Sequence, residues 1–112
     1  MSKSLEYYLP KAMDAIEQLK ISNEKGEVPK QFNGYISSFG ASLRQAGLLA
    51  TVLVYRNENA NAEESREKVV LAIEKMLGES IVVNNAVAKT MRNKVEQAAI
   101  ALKLALRSYK LV

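Results

Sequence analysis

Apolar side chains recur along this chain at spacings of three and four rather than two, a period that organises most of it into helices. Leu5, Tyr8, Leu9, Ala12, Ile16 and Leu19 place a first helix over about residues 3–22. Pro10 breaks its regularity. Proline lacks an amide hydrogen and belongs in a first turn, so this helix either begins nearer Glu6 or bends at the proline. The polar run Ser22–Val28 reads as a turn, and Pro29 suits the first position of a second helix. That helix reaches about Ala46, with Phe32, Tyr35 or Ile36, Phe39 and Leu43 on its apolar side. Gly40 and Ala41 leave room for a close helix neighbour, and Gly47 is placed to end the helix as a left-handed cap.

Leu48 to Tyr55 is continuously apolar, a run that periodicity alone allows as a buried strand. A lone strand among helices would have no partner for its amides and carbonyls, so a short buried helix is predicted instead. Residues 56–61 form a polar loop, and Asn61 with Glu64 has the offset of a capping box. A fourth helix follows, with Glu63, Glu64 and Glu67 in its first turns, where the helix dipole favours acids. Val69, Val70, Ile73, Met76 and Leu77 form its buried side. Gly78 closes it. A last helix of about 25 residues is predicted to begin near Asn84 or Asn85. The expectation is an all-α fold: a compact single-domain bundle of about five helices spanning residues 1–112.

A chain of 112 residues buries roughly two-thirds of its unfolded surface as one domain, so a core is available without crosslinks. Its longest apolar stretch is far too short to cross a bilayer, its N-terminal residues lack an apolar signal core, and it has no cysteine. Together these place it in the cytoplasm, away from membranes. Cysteine and histidine are both absent, which removes thiol nucleophiles, Cys/His metal sites, Ser-His-Asp triads and histidine bases. Only carboxylate chemistry survives, and the acids that cluster are accounted for by a helix N-terminus. The glycines are too scattered for a phosphate-cradling loop. The chain is therefore read as non-enzymatic, with no cofactor and no metal.

Charge alters this picture. The overall net charge is +4, yet residues 1–80 carry −1 and residues 81–112 carry +5, with Glu96 their one acid. On a continuous helix with 100° per residue, Lys89, Arg92, Lys103, Arg107 and Lys110 share an arc of about 60° and extend over roughly 32 Å. Such a stripe suits a phosphate backbone, contacted without regard to sequence and in a salt-sensitive way. Solvated lysines on a helix face are the plainer reading. Ile100 and Leu104 lie beside the stripe, where they signal a second packing surface or a protein contact.

The segment from Gly34 through Tyr35, Phe39, Arg44, Gly47-Leu48 and the apolar run to Tyr55 resembles the central signature of a known family. That family is the small α-helical subunit of the Cmr complex, the type III-B CRISPR RNA-guided effector. The order of elements agrees along the whole chain. Members often carry a polar residue where this chain has Ala46, and a tryptophan where it has Ala101.

The resemblance implies a non-catalytic structural role in antiviral defence. Copies stack as a minor filament along the guide-bearing backbone, beside other Cmr subunits and against guide RNA and target RNA. The RNA-facing residues are then Lys89, Arg92, Lys103, Arg107 and Lys110, with Arg44 as a further candidate that could equally cap a helix carbonyl. The small subunit of the related type III-A (Csm) complex is the near alternative. A helical DNA-binding or interaction module is a more distant one, as is a carboxylate-only metal-dependent enzyme.

Overall fold

The computed structural model describes residues 5–56 and 64–112. The chain runs α1 (Leu5–Gln18), β1 (Glu27–Val28), α2 (Lys30–Ala46), α3 (Leu48–Tyr55), α4 (Glu64–Leu77), α5 (Met91–Ala105), a 3₁₀ turn (Leu106–Ser108) and β2 (Lys110–Leu111). The all-α expectation holds in the five helices. Asn61 and Glu63 lie outside the described residues, so the capping box falls there, while Glu64 begins α4 and Glu67 lies in its first turn.

Helices α4 and α5 each pack against both α1 and α2, while α3 closes against α2 and α4. The core between them is aliphatic with two phenylalanines: Phe32 and Phe39 from α2, Ile16 from α1, Ile73 from α4 and Leu102 from α5 are all fully buried. The core side of α5 is Met91, Val95, Ala98 and Leu102, joined by Ala99, Ala101 and Ala105. Small residues there let α5 lie close to several neighbours at once.

Helix α1 continues past Pro10 and stops at Gln18, short of the predicted end. Its stop is a Schellman motif: Ile21 N–H donates to the Ile16 carbonyl at 2.9 Å and Lys20 N–H to the Glu17 carbonyl at 3.1 Å. Lys20 takes the left-handed position at φ 58°, where glycine is usual. Buried Ile21 supplies the hydrophobic contact typical of the motif.

Gly47 alone separates α2 from α3. Its N–H donates to the Leu43 carbonyl at 3.2 Å, as a cap should, but φ 89° with ψ 169° is not left-handed helical geometry. It is a region essentially reserved for glycine, needed here because the chain turns and restarts a helix within one residue. The short apolar run is helical as predicted, and Thr51, its one buried polar side chain, donates to the Gly47 carbonyl at 2.8 Å and meets the Ser42 hydroxyl at 2.8 Å. Gly40, expected to admit a close neighbour, does not: a Cβ there would meet only Arg44 Nη1, at 3.9 Å.

The prediction for the last helix fails at both ends. Asn84 and Asn85 sit at φ 53° and 60°, and Val83 and Ala86 exchange hydrogen bonds of 2.9 and 3.1 Å across them. That is a type I′-like turn, which two asparagines tolerate well, and it delays α5 until Met91. At the far end the chain leaves the helix after Ala105, and β2 pairs in parallel with β1, Glu27 opposite Lys110 and Val28 opposite Leu111.

Candidate nucleic-acid interface

Because α5 spans only Met91–Ala105, the continuous basic stripe does not form. Lys89 precedes the helix, Arg107 belongs to the 3₁₀ turn and Lys110 lies in β2, leaving only Arg92 and Lys103 of the five on α5. All five are exposed. Helical arithmetic placed Lys110 over Arg92, but an extended strand cannot continue a helical row.

The two stripe cations on α5 are also held. Arg92 Nε donates to Glu96 Oε1 at 3.0 Å, one turn along the same helix. Lys103 Nζ donates to Ser37 Oγ on α2 at 2.6 Å. The remaining basic residue of the segment, Lys94, pairs with Glu79 at 3.2 Å. These pairs are exposed and contribute little to stability, but they fix where the charges stand.

What the structure brings together instead is Lys103 with Arg44. Both line a groove of about 270 Å³ between α2 and α5. On α2 its wall is Ser37, Gly40 and Arg44, spaced three and four residues apart, with Ile36 below. On α5 it is Ala99, Ile100 and Lys103. Ile100 is 47 % exposed, so the side chain that looked out of place beside the stripe forms an apolar lip of the groove. A smaller recess adjoins it at Gly40 and Arg44 and reaches Glu96, whose carboxylate faces Arg92.

Arg44 was the weaker candidate in the sequence and stands in the better-formed site. Ser37 was missed. The signal for it was the Ser37, Gly40, Arg44 spacing on α2 matching Glu96, Ile100, Lys103 on α5, a match visible only once the two helices are known to be neighbours.

A larger cleft lies elsewhere, among Glu17, Lys20, Tyr109 and residues 22–27. Its acids and bases alternate in sign. Asn23 there is spent on its own loop, its Oδ1 accepting from the Lys25 and Glu27 amides at 2.9 Å each. It is a folded turn rather than a recognition surface. The elbow of α2 and α3 does not suit a DNA major groove either, since the outward side of α3 is Ala50, Leu53 and Val54, which offer no side-chain donor or acceptor. Among the described residues no helix is long and apolar enough to cross a membrane.

A family model described as CRISPR-associated protein (Cas_Cmr5) matches residues 8–109. No curated protein and no solved structure matches the chain.

Proposed function

The chain belongs to the CRISPR-associated Cmr5 family of small type III-B effector subunits, and from that premise we propose that it is a non-catalytic, RNA-contacting wall of a Cmr complex. Membership carries association with other Cmr subunits, and sets the III-A alternative aside. The finer reading is that copies of the chain stack as a minor filament in the cytoplasm and help hold the guide RNA and target RNA during antiviral defence, while cutting belongs to other subunits.

One observation carries the RNA contact: Arg44 and Lys103, 59 positions apart in sequence, line one groove. Two cations, one of them held by a hydroxyl, suit phosphate and sugar rather than base edges, which makes the contact independent of sequence. Lys89, Arg92, Arg107 and Lys110, exposed on the same C-terminal segment, contribute a looser positive field that adds to encounter rate more than to fit.

The test is a reconstituted Cmr complex in which Arg44 and Lys103 are changed to Glu, followed by Lys89, Arg92, Arg107 and Lys110. Retention of target RNA should fall, and the slope of log affinity against log salt should shrink by about one for each phosphate no longer neutralised. Unchanged retention at low salt with all six reversed would remove the RNA role. Magnesium-dependent cleavage of RNA by the chain alone would overturn the non-catalytic assignment.

A further inference from the structure

The groove between α2 and α5 has a feature that phosphate contact does not use. Between its two cations the floor and lip are apolar: Gly40 and Ala99 with the half-exposed Ile100. Lys103 is anchored at the Ser37 end by its 2.6 Å hydrogen bond, and Arg44 lies seven residues farther along α2, about 10 Å by helical rise. A stacked strand advances about 3.4 Å per nucleotide, so the two cations span two or three steps, with the apolar floor facing what lies between.

A base-paired strand presents phosphates and groove edges there and keeps its base faces stacked inside, so it would leave Ile100 against water. An unpaired nucleotide offers a base face and a sugar, the partners an aliphatic floor can cover. Glu96, its carboxylate held by Arg92, lines a neighbouring recess with Arg44 and disfavours a second phosphate there.

We infer that this groove is a seat for a short unpaired stretch of an RNA strand, with Lys103 and Arg44 on phosphates two or three steps apart and Gly40, Ala99 and Ile100 beneath a base or sugar between them. The inference rests on the RNA reading above and adds to it a preference for single-stranded over duplex RNA.

Nitrogen-15-labelled chain, titrated at low salt with a single-stranded RNA hexamer and with a self-complementary RNA duplex, tests it. The hexamer should move the Gly40, Ala99 and Ile100 amide resonances saturably, whereas the duplex should move only resonances around Arg44 and Lys103. Gly40→Leu fills the groove at a position where an added Cβ has room, and Ile100→Ser removes the lip at an exposed site. Each should weaken hexamer binding about tenfold and leave duplex binding unchanged. If the duplex moves the same amides as strongly, or if both variants keep wild-type affinity for the hexamer, the seat falls and RNA contact by charge alone stands. If the hexamer moves no resonance on α2 or α5, the seat falls, and the reconstituted complex then decides the wider role separately.

Discussion

Lys103 on α5 reaches back 66 positions to donate a 2.6 Å hydrogen bond to the hydroxyl of Ser37 on α2. An exposed lysine ordinarily spreads its charge over many rotamers. Here one hydroxyl from the neighbouring helix sets its position, and with it the position of a cation at one end of the groove.

Lys103→Met therefore should lower RNA retention by the reconstituted complex and reduce the salt slope by about one. Ser37→Ala keeps the charge and loses the tether, so its effect should be smaller and its salt slope unchanged. Both sites are exposed, and chemical denaturation should find each variant within about 0.5 kcal/mol of wild type.

Two glycines, one within α2 and one at its end, should respond oppositely to the same substitution. Gly47→Ala forces a Cβ into a glycine-only conformation at φ 89° and should cost about 1–3 kcal/mol. Gly40 is mid-helix with open space around its Cα, so Gly40→Ala should gain about 0.5–1 kcal/mol. Urea midpoints of the two variants settle both signs.

Lys20 occupies a left-handed position at φ 58° in the turn that ends α1. Lys20→Gly should relieve that conformation and raise stability by about 0.5–1 kcal/mol, visible as a higher melting temperature.

Tyr55 should make the fold sensitive to alkali. Its buried hydroxyl donates to the Tyr35 carbonyl at 2.9 Å and its ring meets Phe39 edge-on, with centroids 5.2 Å apart. Burial pushes its pKa above the ordinary value of 10.0, against the opposing pull of Arg66, whose guanidinium lies 4.8 Å from the ring centre. A folded-state pKa above the unfolded one gives stability that is complete below pH 10 and lost as pH rises through the folded value. Stability should decline above pH 10, less steeply in Tyr55→Phe, which at neutral pH should itself cost about 1 kcal/mol for the missing hydrogen bond. Equilibrium unfolding at a series of pH values compares the two.

Periodicity located the helices well because a buried stripe must repeat at the helical period. Thus Phe32, Ile36, Phe39 and Leu43 of α2 are all buried, and Leu48–Tyr55 is helical because no strand lies beside it. What periodicity missed were places where backbone geometry, not hydrophobicity, decides. Asn84 and Asn85 look compatible with a helix start, yet their tolerance for positive φ turns the chain there. Lys110 and Leu111 are too few to show an alternating pattern, and their pairing with Glu27 and Val28 depends on a contact 83 positions away. Both misses fell on the charged segment, so the site suffered more than the fold. Charge asymmetry pointed to α5, but Ser37 and Arg44 entered the groove through tertiary packing that no single segment encodes.

The short β1–β2 pair bears on how the chain can be made. Val112 N–H donates to the Val28 carbonyl, and the Val112 carbonyl accepts from Lys30 N–H, each at 2.9 Å, so the first turn of α2 is completed by residue 112. During vectorial synthesis the first three helices emerge before their closing strand exists. The nascent domain therefore cannot reach its final form until residue 112 has cleared the ribosome.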